Sequence, residues 1–372
     1  MSVGVRNPRI DLIRGVAIIL VLFHHFNIAY RLDAWVFGWD AVRAVARNGN
    51  YGVTMFFVVS GYLITSNADR RWSGLSRIDA RAFYGLRVAR IVPCLVLLLA
   101  VVNLLAAGGV AIFQNHAPVG VAVSFWMVNL ASLTLWMNVL IGACGWVNYP
   151  LGVLWSLSIE EVFYIAFPIL CLMLRRESRL LVFWAAIIVV GPVYRFFHRG
   201  DEAGLLYAYF ACFDGIAIGC CSAVLAKRTP VRGVWGMIVQ GLAVAGMTFL
   251  YLWGPIGQSA VVGVTAMAMG TAVLLLGAHH RADGPVPGGT WVLVWLGQLN
   301  YELYLFHLIV LGVIRTLFPP AAVVGGEKLA LLVAFFVLSA MLAAGISRCF
   351  AEPLNRGIRR RLAVRGDAVA SS

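Results

Sequence analysis

The sequence predicts an all-α polytopic membrane protein with about ten transmembrane helices, and three observations carry that prediction. Of 372 residues, 61% are hydrophobic and 12% charged, and mean hydropathy is +0.87, so too little polar surface remains to cover a water-soluble globule. Apolar stretches of roughly 15 to 27 residues recur along the chain, the length that a bilayer crossing needs. The arginines cluster between those stretches. A net charge of +13 and a pI of about 9.8 could suit nucleic acid, but no basic motif is interleaved with exposed aromatics. The excess reads as topology.

The stretch 10–30 follows Arg6 and Arg9 as the apolar part of a signal peptide would. Asp11 and Arg14 interrupt it and no small-residue cleavage site follows, so it reads as a retained span. Arg14 and His25 lie eleven positions apart within it. Eleven steps of 100° come within about 20° of three full turns, which puts both side chains on one face roughly 16 Å apart. A charge in hydrocarbon is expensive and tends to mark a site.

The stretch 52–66 is threaded with Gly and Ser, which let helices approach closely. Ser60 within it would need an adjacent base to act as a nucleophile, and the sequence displays none. The stretch 88–108 opens beside Arg87 and Arg90, which suit either a phosphate-binding mouth or ordinary cytoplasmic anchors. Trp126, Asn129, Trp136 and Asn138 make 121–141 a poor lipid-facing span, so it is expected to be re-entrant or interfacial. The stretches 153–174, 180–194, 205–226, 233–253, 259–278, 291–318 and 328–349 complete the ten.

Loop charge sets the orientation. Arg6, Arg9, Arg70, Arg71, Arg77, Arg81, Arg87 and Arg90 place the amino end and the 66–90 loop in the cytoplasm. With 121–141 not crossing, Arg175, Arg176, Arg179, Lys227, Arg228, Arg232, Arg281 and the tail from Arg348 to Arg365 fall on the same side, and both termini are cytoplasmic. The mixed loop Arg195, His198, Arg199, Asp201, Glu202 falls outside. One membrane domain is expected to fill residues 1–372, with a core at 10–353 and a basic tail at 354–372. Cys94, Cys144, Cys171, Cys212, Cys220, Cys221 and Cys349 lack the spacing of a zinc site and read as small packing residues, with no metal and no tightly bound cofactor expected.

Depth then selects candidates. The first helix runs outward, putting Arg14 in the cytoplasmic half and His25 in the outer half. A straight helix from Trp291 carries His307 to a similar outer depth after sixteen residues, and the helix entering at Trp155 brings Glu160 and Glu161 to the same layer. Imidazoles beside a carboxylate suit general acid–base work. Structural explanations stand beside these. Ser158 and Glu161 fit a capping box, His24 and His25 could be satisfied bundle histidines, Arg14 could pair with Asp11, and His307 continues an aromatic stripe with Tyr301 and Tyr304.

These residues resemble the membrane-bound acyltransferase-3 family of bacterial carbohydrate O-acyltransferases. Ile10-Asp11-Leu12-Ile13-Arg14-Gly15-Val16-Ala17 looks like its L-D-x-L-R-G-x-A opening, and Arg14 to His25 matches its R/K-x10-H signature. Gly52 to Ile64 is similar to its G-V-x-x-F-F-V-x-S-G-Y-L-I motif, Arg87 to Pro93 to R-x-x-R-I-x-P, and Trp155 to Tyr164 to W-S-L-S-x-E-E-Q-F-Y. Leu296 to His307 is similar to L-G-x-x-S-Y-x-L-Y-L-x-H, and Glu352-Pro353 to a closing E-x-P. Six matches run in order from residue 10 to 353. Val162 stands for the family's frequent Gln, Asn300 for its Ser, Ile309 for its Pro, and Cys212 for an Arg two residues before Asp214.

The resemblance implies acyl transfer, usually of acetyl from cytoplasmic acetyl-CoA, to a sugar hydroxyl at the bacterial cytoplasmic membrane. It implies that Arg14 and His25 are essential and that Glu160 lies beside them. Arg14, Arg87 and Arg90 would hold the donor's phosphates, with His307, Glu161 and Ser60 as further site candidates. Many members carry an extracytoplasmic SGNH-type domain. Only residues 353 to 372 follow Glu352 here, so the expectation is transfer within the membrane domain or handover to a separate periplasmic acyl-transfer or polysaccharide-assembly protein. Acceptor contacts are expected in 31–48, 109–150 and 195–204. Two rivals stay open: the same chemistry on a small molecule such as a macrolide or nodulation lipo-oligosaccharide, and a flippase of lipid-linked sugars.

Overall fold

The computed structural model describes residues 6–32, 39–116, 120, 123–229, 231, 233–280, 286 and 288–358. Arg232, Arg281, the tail 359–372 and parts of the expected acceptor stretches (33–38, 117–119 and 121–122) lie outside the described residues. In chain order the helices are α1 (Pro8–Tyr30), α2 (Trp39–Ala46), α3 (Asn50–Trp72), α4 (Ala80–Ala107), α5 (Phe125–Leu133), α6 (Met137–Cys144), α7 (Leu154–Leu174), α8 (Glu177–Phe197), α9 (Glu202–Leu206), α10 (Tyr209–Leu225), α11 (Gly233–Trp253), α12 (Ile256–His279), α13 (Trp291–Gln298), α14 (Asn300–Leu317) and α15 (Glu327–Ile346). The protein is a multi-pass membrane protein. Among the described residues eight helices are long and apolar enough to cross, or nine if the bent pair α13–α14 counts as one span. The tenth expected span, α3, has the length at 23 residues. Its polar residues, from Asn50 and Thr54 through Asn67 to Arg71, keep it out of that apolar set, and it sits in the centre of the bundle where protein, not lipid, surrounds it.

Two backbone-to-backbone crossings fix the centre. A Cβ on Gly61 of α3 would strike the carbonyl of Ile216 on α10, and one on Gly219 of α10 would strike the carbonyl of Val58 on α3. The same reciprocity joins α1 to α13, where Gly15 meets Leu293 and Gly297 meets Asp11. Without a hydrophobic force between helices in lipid, such close approach supplies the packing that holds them. The small residues of the 52–66 stretch therefore do pack helices, as the sequence suggests. At the edge, α11 buries only Gly236 and Tyr251 and presents the rest of its apolar surface outward.

The basic loops share one end of the bundle. Lys227, after α10, bridges Asp69 at the end of α3 (2.5 Å) and Glu177 at the start of α8 (3.4 Å), and Asn7, capping α1, donates to the Ala278 carbonyl near the end of α12 (2.9 Å). The segment 108–153 must therefore leave and return at the opposite end, since α4 starts and α7 finishes beside these loops. Its helices α5 and α6, of 9 and 8 residues, are each too short to cross. Leu135 between them has φ 66°, a break that the apolar run of 121–141 conceals.

Two sequence expectations fail. Arg195 is not a loop residue: it lies in the last turn of α8 and is fully buried. The run from Trp291 is not one straight helix, because α13 and α14 meet at 84° across Leu299. Among the cysteines, Cys94, Cys144, Cys171, Cys212 and Cys220 are buried, Cys221 is partly so and Cys349 is exposed.

Candidate active site

An open cavity lies towards the end where α1 begins, walled by charged and aromatic side chains. Arg14 of α1, Ser60 of α3, Arg87 and Arg90 of α4, Glu160 and Glu161 of α7, and Asn300 and Tyr304 of α14 all line it. Six of the eight site residues drawn from sequence thus meet in one place. His25 and His307 form a separate pair beyond Tyr304.

Arg14 donates from Nη1 to Asp11 Oδ1 (3.0 Å), and Asp11 also binds Arg6 (2.7 Å). The ion pair and the site reading of Arg14 hold together. From Nη2 it donates to Asn300 Oδ1, so the residue that departs from the family pattern is a direct partner of the signature arginine. The α13–α14 bend makes this contact, because it turns the start of α14 towards α1. Arg87 lies with its guanidinium carbon 4.1 Å from the Tyr164 ring centre, and Arg90 5.9 Å from that of Tyr301. Both cations are stacked on aromatic faces at the cavity wall.

Glu160 is not beside His25. Ser60 Oγ donates to Glu160 Oε1 and touches the Tyr164 hydroxyl, while Tyr164 donates to the same carboxylate oxygen (2.5 Å). Ser60 therefore has the neighbouring carboxylate that the sequence failed to display. Tyr164 was available as the residue one turn after Glu160; Ser60, a hundred positions away, was not. The capping-box reading of Glu161 also fails, since α7 begins at Leu154. Ser158 sits inside the helix, donating to Leu154 O (2.9 Å) and accepting from Met137 N (3.1 Å). Glu161 Oε1 is buried without a partner among the described residues.

The imidazole pair joins α1 to α14. His307 Nε2 lies 3.1 Å from His25 Nδ1, with ring centres 4.9 Å apart. His307 Nδ1 faces the carbonyls of Leu303 (3.0 Å) and Tyr304 (2.8 Å), and His25 Nδ1 faces that of Val21 (3.0 Å). The shared depth expected for the two histidines is met by a different path: α14 carries His307 seven residues beyond Asn300, not sixteen beyond Trp291. His24 is a satisfied bundle histidine, bonded at Nδ1 to Ala46 O (2.6 Å).

Sequence reading passed over a further polar centre. Arg195 Nη2 pairs with Asp214 Oδ2 at 2.8 Å, both fully buried, and Thr265 Oγ1 donates to the same oxygen (2.6 Å). The cation that Cys212 lacks comes from α8 instead. Among the described residues no group of three or more His, Cys, Asp or Glu side chains gathers as metal ligands would.

Comparison with known proteins assigns this polytopic bundle to a class: residues 7–360 match the acyltransferase domain family, to which the chain belongs. It is 25% identical over 343 residues to a provisionally named O-acetyltransferase of Staphylococcus aureus (strain COL), covering 83% of this chain and 51% of that protein. It is 25% identical over 327 residues to the O-acetyltransferase OatA of Staphylococcus aureus (strain NCTC 8325 / PS 47), covering 81% and 50%. To the peptidoglycan O-acetyltransferase OatA of Listeria monocytogenes it is 31% identical over 162 residues, covering 43% and 23%. The chain thus spans about half the length of the full-length Staphylococcus relatives that it matches. No solved structure matches it.

Proposed function

We propose that this acyltransferase moves an acetyl group from cytoplasmic acetyl-CoA to a hydroxyl of a cell-surface or exported glycan. The observation that carries the reading is the gathering of Arg14, Arg87 and Arg90 around one open cavity, with His25 further along the helix that bears Arg14. Three guanidinium groups suit the phosphates of a coenzyme A. The thioester then points inward past Ser60 and Tyr304 towards His25. There the acceptor hydroxyl, entering from the opposite face, loses its proton to the imidazole as it attacks the thioester carbonyl. The carbon–sulfur bond breaks, and the proton returns to the departing thiolate.

The names of the relatives support an O-acetyl product. The bacterial cytoplasmic membrane, with both chain ends inside, is the setting in which donor and acceptor approach from opposite faces. The test uses membranes containing the full chain, labelled acetyl-CoA and a glycan-lipid extract. Alkali-labile label in the glycan fraction that disappears in His25→Ala supports the scheme. Wild-type transfer by His25→Ala would sink the base assignment, and glycan translocated without an ester would point to the flippase.

A further inference from the structure

We infer that His307 is a positioning residue that locks His25 in the tautomer with a hydrogen on Nδ1, leaving a bare Nε2 as the base. This rests on the acyl-transfer reading above and adds a role that the cavity residues do not supply. The assignment follows from four contacts. His307 Nδ1 lies between two carbonyl oxygens, those of Leu303 and Tyr304. Two acceptors demand a donor, so this nitrogen bears the hydrogen and the neutral ring keeps its lone pair on Nε2. That lone pair points at His25 Nδ1, which also faces the Val21 carbonyl. Again two acceptors face one nitrogen, so the hydrogen of His25 sits on Nδ1. The opposite arrangement would set lone pair against lone pair at 3.0 Å from Val21 O.

The remaining nitrogen of His25, Nε2, is then unprotonated, and His25 is partly exposed while His307 is 1% exposed. In the reaction the acceptor's hydroxyl hydrogen passes to His25 Nε2 while its oxygen bonds to the thioester carbon. The imidazolium so formed donates from Nδ1 to His307 Nε2, and its Nε2 hydrogen then goes to the thiolate. His307 neither gains nor loses a proton in the cycle.

In the catalytic triad of soluble proteases this orienting task falls to a carboxylate. Within a bilayer a resting carboxylate beside a neutral imidazole would be an uncompensated charge. A second neutral imidazole orients the first without that cost. Glu160 is committed elsewhere, to Ser60 and Tyr164, and among the described residues the hydrogen-bond partners of His25 are Val21 O and His307, not a carboxylate.

The test compares His307→Leu and His307→Gln in the full chain, with kcat and KM for acetyl-CoA measured separately and the ring nitrogens of His25 observed by 15N NMR. Glutamine can present a carbonyl oxygen where Nε2 lay, and leucine cannot. His307→Leu is expected to lower kcat on the order of 10³-fold or more, as loss of tautomer control does in a catalytic triad, with KM for acetyl-CoA unchanged. His307→Gln should remain within about tenfold of wild type, and wild-type His25 should show a protonated Nδ1 and a bare Nε2. A His307→Leu enzyme with wild-type kcat overturns the inference, as does a wild-type His25 protonated on Nε2. Should His307→Leu fail to fold, His307→Gln decides: activity with His25 still protonated on Nδ1 supports positioning, and inactivity with that tautomer retained overturns it. These outcomes are separate from the base assignment, which His25→Ala alone tests.

Discussion

Arg14 and Arg195 are both buried, both paired with an aspartate and both anchored on membrane helices, yet they use their donors differently. A guanidinium offers five N–H groups. Arg195 spends all five, on Val261 O, Ala211 O, both oxygens of Asp214 and Thr265 Oγ1. Among the described residues Arg14 spends two, on Asp11 and Asn300, and it lines the cavity. A saturated arginine ties α8, α10 and α12 together. An arginine with donors to spare can bind something else. The donor count distinguishes the two cations where burial and pairing do not.

The largest expected effect breaks the saturated pair. Asp214→Ala strands a charge with no access to water and should cost about 3–5 kcal/mol, read as a fall in thermal unfolding temperature in detergent, with the transfer rate per folded molecule preserved. Replacing both partners at once, Arg195→Met with Asp214→Leu, should restore most of that stability, since apolar residues of similar volume match a buried ion pair within a few kcal/mol. A double variant as unstable as the single one would show that the pair does more than fill a polar hole.

Arg14→Gln should do the reverse: raise the KM for acetyl-CoA by about 10- to 100-fold, as loss of a charge-assisted hydrogen bond to a phosphate does, with a small change in unfolding temperature. An equal loss of stability in both variants would erase the distinction between the two arginines. Asn300→Leu removes one hydrogen bond to a charged group, worth about 1.5–3 kcal/mol, and should raise the KM for acetyl-CoA by about tenfold or more by releasing Arg14 from its position; Asn300→Ser should recover part of it. Lys227→Ala, breaking the partly exposed bridge to Asp69 and Glu177, should change stability by no more than ~1 kcal/mol, measured in the same melts.

The span pattern, the side shared by the basic loops, and the Arg14–His25 spacing were all readable from the sequence, because each is a local or periodic property. What escaped was non-local or depended on an interruption that composition does not announce. The break at Leu299 carries no proline; it arises where Gly297 lets α13 lie directly on the backbone of α1. Arg195 looked like a loop residue because its neighbours His198, Arg199 and Asp201 are polar, and only Asp214, nineteen positions on, makes its burial tolerable. The resemblance sets Glu160 beside His25, whereas its partner in the fold is Ser60, a hundred residues away in sequence. His25 and His307, 282 positions apart, share a depth that helix length makes legible, yet depth alone does not say which nitrogen faces which.

The two glycine crossings also have a mechanical meaning. They clamp α1 to α13 and α3 to α10 at backbone contact, leaving those four helices no side-chain layer in which to slide. The walls outside that clamp are α4, α7 and α14, and of these α4 and α7 each carry an interior proline, Pro93 and Pro168, and so lack a rung of the helical ladder. Arg14 therefore rides on the stator, and Arg87, Arg90 and Glu160 on the part that yields.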